Sequence, residues 1–219
     1  MAKAIIISGL LTNFSDNFIK FVEDIDEEVH TYVHSWNTEE NLRWVHKLMR
    51  HQFETKIVIN LEVPMYDEKK YLILHSTYQA ANLIHTPSDY STIIKFKPDL
   101  ETDRIEYNKN IEQYFYEAAI HAHPLLNGRK KEDFIYGRYL YKTLDERMFT
   151  IYPEGIEKLF KRSYVDYFDD IYAIDSYLEK KYSKNYEGSI LWTNYIKERG
   201  LGIIQDLTLK LPNCKTKSY

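Results

Sequence analysis

Apolar and polar positions alternate between two periods along this chain. Ala4-Ile5-Ile6-Ile7-Ser8-Gly9 is a continuous, mostly β-branched run that stops at glycine. Such a run predicts a strand buried on both faces, as in a parallel sheet. Phe14, Phe18, Phe21, Val22 and Ile25 follow at helical spacing, so residues 14–25 are expected to form an amphipathic helix. Val29 to His34 alternates like a strand. Thr38 stands as an N-cap before a helix carrying Leu42, Val45, Leu48 and Met49. Residues 56–61 predict a third strand, 76–86 a helix and 91–96 a fourth strand. Strand and helix alternating in this way define an α/β domain with a mostly parallel, Rossmann-like central sheet and right-handed crossovers.

The second half is less regular. It predicts short strands near 119–122 and 133–136, then helices near 138–147, 154–161, 169–182 and 187–199. Gly200 marks the last helix stop, and 201–209 reads as a closing strand. No repeat or linker is seen, so 1–209 reads as a single domain and 210–219 as a polar, basic tail. The tail reads as a frayed terminus or as a contact with a membrane surface or partner.

Composition narrows the chemistry. Among 219 residues there are 20 Tyr and 10 Phe but only 7 Gly and one Cys. A content of 44% hydrophobic residues can fill a core, and this many aromatics disfavours disorder. Neither glycine-rich phosphate-loop pattern occurs. The lone Cys214 excludes an internal disulfide framework and fits a reducing compartment. Lys and Arg number 29 against 33 Asp and Glu, a net charge of −4, which argues against a nucleic-acid binder. No apolar stretch approaches the ~18 residues of a membrane span, so the expectation is an intracellular, cytoplasmic, soluble protein.

In open α/β sheets ligands bind beyond the carboxyl ends of strands. Here those ends are Ser8-Gly9, His34-Ser35-Trp36 and the segment after Ile94. Ser8 and Gly9 would let a nucleotide approach the first strand, or simply form a turn. Strand periodicity places Lys95, Lys97 and Asp99 on one face. Asp99 and Glu101 suit a hard divalent cation, Mg²⁺ or Mn²⁺, with the lysines near a diphosphate. A solvated acidic turn is the plainer reading of the same spacing. His30 and His34, four apart, and His121-Ala122-His123 were weighed as zinc pairs, but neither extends to a zinc motif. No nucleophile elbow supports covalent catalysis.

The set Ile7-Ser8-Gly9, His34-Ser35-Trp36, Tyr78-Gln79-Ala80-Ala81, Lys95 to Leu100, Asp133-Phe134-Ile135-Tyr136-Gly137 and Tyr186 to Leu191 occurs in order from about residue 4 to 204. In this it resembles GT-A fold glycosyltransferases, specifically the small WavE-like enzymes of bacterial polysaccharide synthesis and related enzymes of large DNA viruses. Lys95 and Lys97 stand where that pattern has arginines, and Asp99-x-Glu101 where it has Asp-x-Asp. The resemblance implies a nucleotide-diphosphate-sugar donor, UDP-linked, a divalent metal such as manganese, and transfer to a glycan or other hydroxyl acceptor. It assigns metal binding to Asp99 and Glu101, and the general base to Asp133, with Glu187 second. Glu187 could equally be a first-turn carboxylate that favours its helix. Lys95, Lys97 and Arg138 would face phosphates. The lysine replacements and the Asp-x-Glu pair keep open a catalytically degenerate domain that binds a glycan or a partner. A Rossmann-like methyltransferase is disfavoured by the absence of a glycine-rich first loop.

Overall fold

The computed structural model describes residues 1–9, 11, 16–23, 25, 27–51, 54–60, 69–97, 128–140, 143–160 and 187–205. Seven strands form one sheet: β1 (Ala2–Ser8), β2 (Val29–Trp36), β3 (Glu54–Asn60), β4 (Tyr90–Phe96), β5 (Phe134–Leu140), β6 (Thr143–Ile151) and β7 (Gly202–Gln205). Among the described residues five helices flank it: α1 (Asp16–Glu23), α2 (Glu39–Leu48), α3 (Lys69–Ala81), α4 (Pro153–Phe160) and α5 (Glu187–Glu198). The spatial order is β3-β2-β1-β4-β6-β5-β7. Only β6 runs antiparallel, to both β4 and β5, while the other pairings are parallel. This is the α/β architecture with a mostly parallel central sheet flanked by helices that the pattern of the chain predicts.

Helices cover both faces. Ile5, Ile7, Val33, Ile94 and Phe96 point to one side and pack on Phe18 and Val22 of α1 and on Val45 and Leu48 of α2. Ala4, Ile6, Tyr32, Ile93, Phe149 and Ile151 point to the other, against α3, α4 and α5. Phe18 meets Phe96 with ring centres 4.9 Å apart. Thr38 caps α2 as expected, its hydroxyl accepting from the Asn41 amide at 3.2 Å, a contact worth about 1 kcal/mol.

Two expectations are corrected. The stretch 138–147 is not a helix; it holds the end of β5 and the start of β6. Leu140, Leu144 and Met148 recur at helical spacing, and between them Asp145, Glu146 and Arg147 are charged. Those charges are buried in ion pairs inside the sheet. Helix α3 begins at Lys69, not near 76, and ends at Ala81. Its sheet-facing side carries His75, Ser76 and Thr77, all buried, and polar residues on a buried face hide the apolar period. The expected strand at 119–122, the helix at 169–182, the tail, His121, His123 and Cys214 lie outside the described residues.

Candidate functional site

The chain winds β1, β2, β3 in one direction and then returns to place β4 on the far side of β1. That reversal opens a crevice at the carboxyl ends of β1 and β4. Gly9 ends β1 with φ +106°, a conformation that a side chain would strain. The Gly9 amide donates to Ser76 Oγ at 2.7 Å, and its carbonyl accepts from Ser35 Oγ at 2.8 Å. Ser76 Oγ also donates to the His34 carbonyl at 3.1 Å and lies 2.8 Å from His34 Nδ1. Ser8 and Thr77 share a hydroxyl–hydroxyl bond of 2.7 Å. On the opposite face Asn41 accepts from the Leu11 amide at 2.8 Å and donates to the Trp36 carbonyl at 2.9 Å. One α2 side chain therefore ties together the segments that follow β1 and β2.

This cluster explains why a helix face that should be apolar is polar. Ser76 of α3 satisfies the Gly9 amide and the His34 carbonyl, strand-end groups that would otherwise be buried without partners, and Thr77 pairs with the Ser8 hydroxyl. The His75 ring lies edge-on to His34 at 5.9 Å, and desolvation pulls its pKa down to about 4, so it is neutral. The Trp36 indole N–H is buried and has no hydrogen-bond partner among the described residues. Ser8, Gly9, His34 and Trp36 were legible as strand ends. Ser35 was read only as part of that motif, and Ser76, Thr77, His75 and Asn41 were missed. A run of small polar residues inside an otherwise apolar helix was the signal for the α3 group.

Beside the crevice, Lys95 is 1% exposed. Its ammonium donates to the Glu146 carbonyl and meets Glu146 Oε2 at 3.2 Å, and sits 5.5 Å from the centre of the Trp192 ring. Lys97, further along the strand and more exposed, lies 3.9 Å from Glu146 Oε1. Burial pushes the Glu146 carboxyl up, but the two lysines outweigh it and hold the pKa below its ordinary value. Lys95 is thus committed to β6, and Lys97 is the lysine that reaches the strand end. Arg138 is half-buried at the register shift of β5 against β6, next to Gly137, which pairs with Phe149. Arg147 and Asp145 form a bidentate pair at 2.9 and 2.7 Å.

The two candidate bases fall at opposite ends of the sheet. Asp133 precedes β5, in a 3-10 turn over Lys131–Asp133. Five residues separate it from the row of Arg138, about 16 Å of strand. Its carboxylate caps the Lys130 amide at 2.8 Å and is ion-paired to Lys158. The Lys158 contact and the Lys130 amide lower its pKa. Gly137 of the same motif is packed closely: a Cβ there would stand 2.6 Å from Leu144 Cδ1. Glu187 opens α5. Thr193, six residues on, accepts from the Leu144 amide at 2.8 Å near the start of antiparallel β6, and α5 ends where β7 begins. Helix α5 therefore starts at the carboxyl edge of the parallel strands, and Glu187 with it.

Asp99 and Glu101 lie outside the described residues. Among the described residues no group of three or more His, Cys, Asp or Glu could hold a metal ion. His30 does not join His34 in a metal pair; it bonds Tyr90 at 2.8 Å and Glu28 at 3.1 Å. Tyr32, Tyr78, Tyr90, Tyr136, Tyr152 and Tyr195 are buried, and packing accounts for them. A cavity of about 140 Å³ lined by Ile84, Pro87, Ile156 and Phe160 opens at the amino edge of β4, the edge opposite Ser8, Gly9 and Lys97.

No protein-family model and no curated protein matches the chain. Among solved structures it is similar to mouse xyloside xylosyltransferase 1 in the apo form, at 11% identity and a TM-score of 0.40, over 94% of this chain and 85% of that one. At that distance the likeness adds nothing to the strand order itself. No helix among the described residues is long and apolar enough to cross a membrane.

Proposed function

We propose that the chain is a glycosyltransferase that moves a sugar from a nucleotide-diphosphate sugar, UDP-linked, to a hydroxyl of a glycan or related acceptor. The observation that carries this reading is the tied polar cluster at the carboxyl ends of β1 and β2, next to the switch point between β1 and β4, with Lys97 just beyond β4 and Arg138 on β5. That cluster is fixed before any ligand arrives, so little ordering cost falls on binding. The unpartnered Trp36 indole N–H adds a buried donor at the same edge.

In this reading the bond between the anomeric carbon and the diphosphate oxygen breaks, and the electron pair leaves with the diphosphate. Lys97 and Arg138 offset the negative charge that grows there. The acceptor hydroxyl forms the new bond and gives its proton to Glu187, a reading supported by the start of α5 at the carboxyl edge of the parallel strands. Mg²⁺ or Mn²⁺ held by Asp99 and Glu101 would supply further charge neutralisation at the diphosphate. A second reading, a glycan- or partner-binding domain without turnover, is favoured by two observations: Lys95 is engaged by Glu146 and Asp133 by Lys158.

Calorimetric titration with UDP and UDP-sugars, with and without Mn²⁺, separates the two. Binding that weakens about tenfold in Lys97→Ala and is lost in Asp99→Ala is expected for the enzyme. Absence of nucleotide binding under every condition would sink it, and retained glycan binding in that case would establish the second reading.

A further inference from the structure

The outward face of α2 carries a stripe of cations. Arg43, His46, Lys47 and Arg50 stand at i, i+3, i+4 and i+7, so the helix and the turn after it present all four together. Asn41, Val45 and Leu48 take the buried side. Arg43, His46 and Arg50 are exposed, and their side chains form no ion pair or hydrogen bond among the described residues. Lys47 lies over the Trp44 ring at 4.8 Å. Met49, beside the stripe, is 62% exposed; it and Met1 are the exposed large apolar side chains of the described residues. The nearby acids are at the margins: Glu39 and Glu40 in the first turn, and Glu23 of α1, 3.8 Å from His51.

Basic residues in a last helical turn complement the helix dipole. That accounts for His46 and Lys47. It does not account for Arg43 in mid-helix or for an exposed methionine among the cations. Clustered cations beside an exposed apolar side chain are the composition of a surface that meets an anionic lipid headgroup layer, while Trp44 packs against the core. A polyanionic chain would pair with the same cations but would gain nothing from Met49. The overall charge of −4 does not oppose local docking, because screening at physiological salt acts beyond about 8 Å. Residues 210–219 add Lys210, Lys215 and Lys217 with no acid among them.

We propose that this face of α2 docks the protein on an anionic lipid bilayer, with the cations toward the lipid phosphates and Met49 at headgroup depth. The proposal is independent of the glycosyltransferase reading and goes beyond it. Through Asn41, which ties the segments after β1 and β2, the docking helix is joined to the candidate site.

The test is co-sedimentation of the full chain with vesicles of phosphatidylcholine alone or with about 30% phosphatidylserine. Binding is expected only to the anionic vesicles and is expected to fall steeply between about 0.1 and 0.5 M salt. The double variant Arg43→Gln/Arg50→Gln should bind about 30-fold more weakly, about fivefold per cation. Met49→Ser should lose about threefold. Unchanged thermal midpoints would show that these surface variants fold, and nucleotide titration reports separately on the crevice. No binding to anionic vesicles overturns the proposal. So does binding that ignores the α2 variants but disappears in Lys215→Gln/Lys217→Gln. Retention on heparin with vesicle binding unmoved by Met49→Ser would assign the stripe to a polyanionic polymer instead.

Discussion

His75 couples the polar cluster to pH. The imidazole is 1% exposed, and desolvation lowers its pKa to about 4 from an ordinary value of 6.5. Between those two values the unfolded chain binds a proton that the folded chain does not. Its contribution to stability is therefore complete above about pH 6.5 and is lost as pH falls towards 4, on the order of 3 kcal/mol over the window. Denaturant midpoints at pH 7 and pH 4.5 should differ by that order in the native chain and much less in His75→Gln. An unchanged difference in the variant would assign the pH dependence elsewhere. Asp133 and Glu146 also have lowered values. Their stabilisation is present above the ordinary carboxylate range and is lost only on further acidification, so the windows separate. Ser76 is the other residue on which the edge turns, because its hydroxyl meets the Gly9 amide and both the ring and carbonyl of His34. Ser76→Ala leaves the Gly9 amide without its partner, at a cost of about 1–3 kcal/mol. Amide exchange at Gly9 should speed up; if it stays protected, another group holds that turn.

Strands β4 and β6 are joined by charge as well as by their ladder. Lys95 depends on Glu146 for a carbonyl and a carboxylate. Glu146→Ala is expected to destabilise by about 3 kcal/mol, since it leaves a buried ammonium without its counter-charge. Lys95→Met added to that variant should recover most of the loss, because Trp192 and Phe149 already line the side chain. Urea titration of the two single variants and the double completes the cycle; additive losses would mean that the two residues do not act as a pair. The same pair shows where sequence reading fails. β1, β2, β4 and α2 were legible because one period dominates each of them and their ends carry Gly9, Thr38 or a polar turn. β6 was not, since Asp145, Glu146 and Arg147 are neutralised by partners distant in sequence or two residues away, and no local period records that. Lys97 stood out as a strand-end cation, but Glu146, which holds it, carried no signal before the strands were paired.

Placement within the whole sheet decides which carboxylate can act at the crevice. Sequence order put Asp133 in a motif with Phe134 and Gly137, and a motif does not state which edge of a sheet it occupies. The fold does. β5 is parallel to β7 and antiparallel to β6, so its start lies at the edge away from Ser8, Gly9 and Lys97. Helix α5 runs back against the strands, as a crossover to a parallel strand requires, and so brings Glu187 to the crevice edge. Two variants put this to the test. Glu187→Gln should retain nucleotide binding and lose at least about a hundredfold in transfer or donor hydrolysis, the scale of a general base. Asp133→Asn should keep its turnover and instead lose about 1 kcal/mol of stability, through the Lys158 pair and the Lys130 amide. The loss should fade in acid, where the native carboxylate is itself protonated. The opposite result, turnover lost in Asp133→Asn at intact binding and kept in Glu187→Gln, would require the acceptor to enter at the other edge of the sheet. The diphosphate would then have no neighbour in Lys97 or Arg138.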